Sequence, residues 1–531
     1  MIGVIVRPGE IEATQEYFEL FKTPWEFAVP GRSYAAILTT TDVPDGIGAP
    51  VILVYGARAL DIDRKHGRAV TLRGEGFVRW AGRHLPIYQG RALFDGSTEL
   101  LQSDSQAADY VGQECGVLRR RIGYELFEEV AHLLRVGQSG EWATTPTLDL
   151  HIELLRQLLL ESGVPVVDVV PRPAGFDFVC CLTHDVDFFG IARHGLDRTI
   201  AGFVWRASLG SLTGLLRRER TFRELLTNWT AVCSLPFAML GWRKDLWQPF
   251  DTFTVADAPH PSTFFLVPFR KQPGAALPGA VPPSERGVAY QASDVADEVR
   301  EAAAQGREVA VHGINAWCSA EAGRRERLEI EGLTGRRPGV RMHWLYYTEA
   351  TPQYLERAGF AYDSTWGYND AVGYRAGTSQ VFKLPGTKRL LELPLCIMDS
   401  ALFFRRRMGV RFEEAREILR TLIGSAREHG GTLVVNWHDR SLAPERLWNR
   451  PYTWLLDDLK AGAPVWFATG ADAVAWFRLR RGVTFRRHAE GIEIIAPSSG
   501  PGLPGLVLRV QRPGRSAEER ELGTRELVAA A

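Results

Sequence analysis

Thr183-His184-Asp185-Val186-Asp187 closes the apolar run Asp177-Phe178-Val179-Cys180-Cys181-Leu182. Such a run reads as a buried strand, and its end sets two carboxylates and an imidazole where the strand meets solvent. Side chains two apart on a strand share a face, so a strand end of this kind can hold a divalent metal with a base beside it. Two runs downstream finish in the same way, Glu308-Val309-Ala310-Val311-His312 and Leu433-Val434-Val435-Asn436-Trp437-His438. Taken singly, each is equally a satisfied core or strand-end residue. Together they match α/β barrels, whose functional residues sit at the carboxyl ends of buried strands.

Around these strands, 177–481 alternates strand and helix. Ser262-Thr263-Phe264-Phe265-Leu266-Val267-Pro268 is a strand, 272–286 a Pro/Gly-rich loop, and Ser293 or Asp294 caps a helix that buries Val295, Val299, Ala302 and Ala303. Gly339-Val340-Arg341-Met342-His343-Trp344 carries a short strand, Phe360-Ala361-Tyr362-Asp363 the next, and Leu391-Glu392-Leu393-Pro394-Leu395 another. The helix at 413–429 presents Ala415, Ile418, Leu419, Leu422, Ile423 and Ala426 on one face, and Gly430-Gly431 ends it. Pro464-Val465-Trp466-Phe467-Ala468 and a helix at 471–480 close the series. The alternation predicts a parallel sheet, most simply an irregular (β/α) barrel in an α/β protein.

A chain of 531 residues is too long for one growing core, which favours two or three domains. Residues 1–170 read as an α/β region without a chemical motif, with 165–176 as a linker. Within the barrel, 190–255 is an insertion rich in Leu, Trp and Arg. Its segment 209–218 has Leu at helical spacing with basic residues at the end, a pattern shared by a helix packed on its own domain and by one lying on a membrane. Peripheral membrane contact through 199–218 is therefore an expectation. Past 482, short alternating strands suggest a small β appendage, with a disordered tail after Gln511.

Apolar content of 45% and charged content of 24% are those of an ordinary globular protein. Equal acidic and basic counts leave no electrostatic footprint for nucleic acid. Six scattered cysteines lack C-x-x-C spacing and read as reduced core thiols. The start shows no basic region followed by a long apolar one, and no apolar segment approaches the ~20 residues of a membrane span. A cytoplasmic protein without a transmembrane segment is expected.

In order and spacing, the motifs of 177–481 resemble the polysaccharide deacetylases of carbohydrate esterase family 4, the NodB-homology fold, in a divergent form that begins THDVD. In that family the first motif, T-F-D-D-G, supplies a base and a metal-binding aspartate. Asp185 matches the base; Val186 stands at the metal position and Asp187 one residue later. The second motif, H-[S/T]-x-x-H, supplies two metal-binding histidines, of which His312 is matched and Ala316 replaces the other. Arg341 fits the arginine that orients the base, Asp363-Ser364-Thr365-Trp366 fits D-x-x-W, and His438 fits the histidine that follows a late strand. Gly373-Tyr374-Arg375-Ala376-Gly377-Thr378 and Leu393-Pro394-Leu395-Cys396-Ile397-Met398-Asp399 resemble further blocks of the divergent form, to which no role is assigned.

The resemblance implies a hydrolase that removes acetyl from an N-acetylated sugar. Its ligands would be Asp187, His312 and the nearby His343, holding a divalent ion, most simply Zn2+, with an open position. Asp185 would be the base, oriented by Arg341, and His438 the acid. Trp366, with Trp344 or Trp317, would stack on a sugar ring, with Asp363 and Arg375 also near substrate. His184 is a rival to Asp187 for the metal. Without a signal peptide, the expected partner is an acetylated sugar or glycan precursor, such as a nucleotide- or lipid-linked sugar. Val186 and Ala316 also motivate an inactive carbohydrate-binding or scaffolding protein on the same fold, and an O-acetyl esterase would use the same machinery.

Overall fold

A computed structural model describes residues 1–529 except 45, 97–99, 195–196, 218–219, 244, 278, 280–285, 499 and 501. Parts of the expected 272–286 loop and Arg218 of the 209–218 stripe thus lie outside the described residues, as do 530 and 531.

The site-bearing sheet is parallel and curled. Its strands are β1 (Val179–Val186), β2 (Ser262–Leu266), β3 (Glu308–Gly313), β4 (Val340–Met342), β5 (Leu395–Met398), β6 (Thr432–Asn436) and β7 (Trp466–Phe467). The order is β4-β3-β2-β1-β6-β5, with β7 paired to the start of β1. Helices cover such a sheet on the outside, so its strands are apolar on both faces rather than alternating. β1 and β6 are buried along their whole length, and their buried side chains join the main core. The register sets the strand ends level: Thr183 lies beside Asn436, His312 beside Arg341, and Met398 beside Asn436. The expected strand at 360–363 is reduced to single bridges from Asp363 to Val340 and to Glu392. Beyond them Leu395 N–H donates to Trp366 O, so 391–398 touches β4's neighbour at one end and β6 at the other.

Two six-stranded sheets occupy the first 122 residues, one mixed and one antiparallel. The helices Ile11–Phe21, Leu126–Arg135 and Thr147–Glu161 contribute to the same hydrophobic core as β1–β7. The stretch read as a linker contains a strand, Val166–Val169, which pairs with Val507–Gln511. Buried Asp168 fixes this junction by accepting from both Arg156 and Arg509 at 2.6–3.1 Å. The tail expected to be disordered carries the strands Glu518–Glu521 and Arg525–Ala529. Glu518–Glu521 folds back on the preceding strand Val507–Gln511 as a hairpin, and Arg525–Ala529 pairs antiparallel with Gly491–Ile495.

The insertion between β1 and β2 is helical: Arg198–Trp205, a π-turn at Arg206–Gly210, Ser211–Leu216, Phe222–Met239 and Pro249–Asp257. It has a small core of its own around Ile191, Phe203, Leu235 and Trp247. No helix of the described residues is long and apolar enough to cross a membrane.

Candidate active site

Strand alternation sorts the opening motif. His184 turns away from the pocket: its ring stacks on Phe253 at 3.6 Å, Nε2 lies 3.0 Å from Asp257 Oδ2 and Nδ1 lies 2.9 Å from Trp437 O. It is a satisfied core histidine, remote from the metal position considered for it. Asp185 and Asp187 face the other way, into a pocket of about 90 Å³ that is also lined by His312, His343, Trp344 and His438.

The Asp187, His312 and His343 ligand atoms all lie within 4.8 Å of one another. Asp187 Oδ1 is 3.4 Å from His312 Nε2 and 3.3 Å from His343 Nε2, and it is buried without a hydrogen-bond partner. His312 Nδ1 meets Arg341 O at 3.0 Å, which obliges that nitrogen to carry the proton. Nε2 is then the ring nitrogen that faces the Asp187 carboxylate, and with the His343 nitrogen converging on the same oxygen the set has the donor atoms of a metal site. Burial lowers His343 to about 3, so its ring is neutral as a ligand must be. Burial opposes ionisation of Asp187 as well, but His343 and His438, protonated in the acid range where Asp187 titrates, outweigh it and hold the carboxyl below its ordinary value.

Local backbone delivers His343. Trp344 and Leu345, immediately after it, both have left-handed φ (64° and 54°), a strained conformation for non-glycine residues that turns the chain sharply at the pocket. Arg286, fully buried, donates to Ile314 O at 2.8 Å and His343 O at 3.2 Å and so ties the β3 and β4 ends together. Val186 and Ala316, where the resemblance would place ligands, are both core residues.

Asp185 is clamped. Arg341 donates to its Oδ1 at 2.9 Å and Asn436 Nδ2 to its Oδ2 at 2.7 Å, while Asp185 N–H donates to Asn436 Oδ1 at 3.1 Å. Arg341 is itself fixed by Thr183, by Ser364 and by the face of Phe265 at 4.2 Å. Burial would raise the Asp185 carboxyl, but Arg341, His312 and His438 outweigh it and hold it below its ordinary value.

His438 is backed by Asp399, the last residue of the Leu393–Asp399 block, whose role sequence reasoning did not assign. Its Nδ1 lies 2.6 Å from Asp399 Oδ1, and Asp399 Oδ2 accepts from the His438 N–H at 2.8 Å and from Ser441 Oγ. Burial opposes charge on the ring, yet Asp399, Asp187 and Asp185 together raise His438 to about 9. Arg407 and Arg446, which sequence reasoning missed, line the pocket, and among the described residues neither has a carboxylate in ion-pair distance. Arg407 donates to Ser400 Oγ, and both guanidiniums lie over Phe404.

Four residues expected near substrate, Asp363, Trp366, Arg375 and Trp317, lie outside the pocket lining. Asp363 is fully buried, bonded to Thr365 and facing Glu392, where burial raises it to about 6. Trp366 is 2% exposed and packs between Tyr347 and the Arg375 guanidinium, which lies 4.4 Å over its ring. Arg375 in turn donates to Gly367 O. Trp317 is buried against Tyr346. Only Trp344, 38% exposed, keeps an accessible indole at the pocket. A second acidic and imidazole group, Glu153, Glu428 and His429, is different in kind, because Arg83 already pairs with both glutamates.

No protein-family model matches the chain, and no curated protein matches it in sequence. Among solved structures it is similar to a protein assigned as a polysaccharide deacetylase from Mycobacterium smegmatis (19% identity over 58% of this chain and 95% of that one, TM-score 0.32). A second such protein, from Pseudomonas aeruginosa PAO1, is 18% identical over 57% and 92%, with a TM-score of 0.34. The catalytic domain of the peptidoglycan N-acetylglucosamine deacetylase from Eubacterium rectale ATCC 33656 is 12% identical over 55% and 89%, with a TM-score of 0.24. Likeness at this level does not carry the chemistry, which the pocket's own geometry must supply.

Proposed function

We propose that this chain is a metal-dependent hydrolase that removes an acetyl group from an N-acetylated sugar or glycan precursor. Its curled sheet is read as an irregular (β/α) barrel of the polysaccharide deacetylase type. The observation that carries the reading is the convergence of Asp187, His312 and His343 beside an arginine-clamped aspartate and an aspartate-backed histidine. A divalent ion held by those three residues, zinc by their two-imidazole, one-carboxylate chemistry, would polarise the acyl carbonyl and lower the pKa of a water toward ~7.

The chain's own residues supply the proton transfers. Asp185, kept ionised by Arg341 and Asn436, takes the proton from the attacking water. His438, kept protonated at neutral pH by Asp399, gives a proton to the departing nitrogen, which is a poor leaving group as an anion. Arg341 acts through Asp185 by fixing its orientation and charge. Trp344 offers a face for a sugar ring, and Arg407 and Arg446 suit a substrate that carries negative charge close to the acetamido group. The test is acetate release from an N-acetylated oligosaccharide by the purified chain, abolished by a chelator and restored by zinc. Sustained turnover in chelator would refute the metal-dependent reading.

A further inference from the structure

The helical insertion between β1 and β2 exposes apolar side chains out of proportion to its size. Of eighteen large hydrophobic side chains exposed among the described residues, ten fall between 205 and 255. They include Trp205 (61% exposed), Leu216 (76%) and Trp242 (73%). Scattered exposed leucines need no explanation, but a concentration of this kind does.

The Phe222–Met239 helix makes the anomaly specific. Leu225, Asn228, Ala231, Leu235 and Ala238 are buried on one side. On the other, Phe222, Leu226, Trp229, Cys233 and Phe237 follow at helical spacing and all stay exposed. A helix that is apolar on both faces has a partner on each. The stripe is continuous with its surroundings, since the Phe237 ring lies 6.1 Å from Trp242 and the Trp229 indole donates to Ser208 O, next to exposed Leu209.

Charge decides what covers it. Across the insertion, 190–255, the sequence holds nine Arg and Lys against five Asp and Glu, whereas the whole chain is balanced. Arg198, Arg217, Arg223 and Arg243 are exposed beside the apolar residues. Exposed Trp, Phe and Leu flanked by arginine suit the interface of an anionic bilayer, where indoles sit at headgroup depth and guanidiniums meet phosphate. We infer that this insertion docks the protein onto the surface of an anionic lipid membrane, without spanning it. The insertion rests on the loop after His438: Trp247 lies 4.2 Å from the Arg440 guanidinium, and Ala443 belongs to its small core.

The experiment is co-sedimentation of the full chain with phosphatidylcholine vesicles, with and without phosphatidylglycerol. Binding is expected to the anionic vesicles, with a blue shift of tryptophan fluorescence. Trp205→Ser/Trp242→Ser should weaken it at least about tenfold by removing interfacial apolar surface. Each of Arg217→Gln, Arg223→Gln and Arg243→Gln should weaken it roughly fivefold, less so at high salt. All these side chains are exposed, so an unchanged melting curve checks that the fold survives. No binding to either vesicle would overturn the inference, as would undiminished binding by the double tryptophan variant. A dimer in solution that is lost in that variant would also overturn it and give the face to a second copy of the chain.

Discussion

Asp399→Asn separates a charge-setting role of Asp399 from a merely structural one. The substitution leaves an oxygen for the Ser441 hydroxyl and the His438 N–H while removing the carboxylate 2.6 Å from His438 Nδ1. With His438 near 9, about nine-tenths of the ring is protonated at pH 8. Without Asp399, burial dominates and the ring falls to its ordinary ~6.5 or below, leaving about 3% protonated at pH 8 but still about three-quarters at pH 6. An acid works only in its protonated form. The deficit in kcat/KM for an acetamide substrate should therefore grow from less than about twofold at pH 6 to about thirtyfold at pH 8. In the unaltered protein the rate should hold up to about pH 9 and fall above it as His438 deprotonates. Acetate release from an N-acetylated oligosaccharide, followed from pH 5.5 to 9.5, reads this directly. An equal loss at pH 6 and pH 8 would refute the reasoning and leave Asp399 as a packing residue.

Asp185→Asn should keep the metal, because Asp187, His312 and His343 remain, yet lose roughly 10²–10⁴-fold in turnover; loss of metal in elemental analysis would make Asp185 a ligand. His438→Ala should lose deacetylation of an N-acetylated sugar while retaining turnover of an activated aryl acetate, whose leaving group needs no proton. Equal losses on the two substrates would assign His438 to orientation or metal binding. Arg407→Gln and Arg446→Gln should raise KM for a phosphate-bearing acetamido sugar at least about tenfold and leave a neutral one little changed, each charged hydrogen bond contributing ~1.5–3 kcal/mol. Parallel changes for both sugars would place the arginines in packing alone.

What sequence reads well here is local. The ends of β1, β3 and β6 were legible because strand alternation and apolar runs are properties of a few consecutive residues, and they put Asp185, Asp187, His312 and His438 on one side of the sheet. The same alternation sets His184 against Asp185, a choice the motif alone left open. His343 was reachable from its nearness to the β4 end, although the left-handed Trp344 and Leu345 that deliver it carry no glycine signal. The role of Asp399 was not legible, because that residue meets His438 only through the register that pairs Met398 with Asn436. Asp363 and Trp366 lie outside the pocket for a related reason: their motif resembles one near substrate, but long-range neighbours decide exposure, and here Glu392 meets Asp363 and Tyr347 covers Trp366. The linker and part of the tail differ for a similar reason, since Val166–Val169 and Arg525–Ala529 become strands by pairing with Val507–Gln511 and Gly491–Ile495.

Metal stoichiometry tests the central claim most directly. The purified chain, loaded with zinc and freed of excess by gel filtration, should hold about one ion per molecule by elemental analysis, and His343→Ala should hold far less under the same treatment, because removing one of three ligands forfeits most of the affinity. An unaltered protein that retains no stoichiometric ion, or a His343→Ala protein that retains the full complement, would contradict the account.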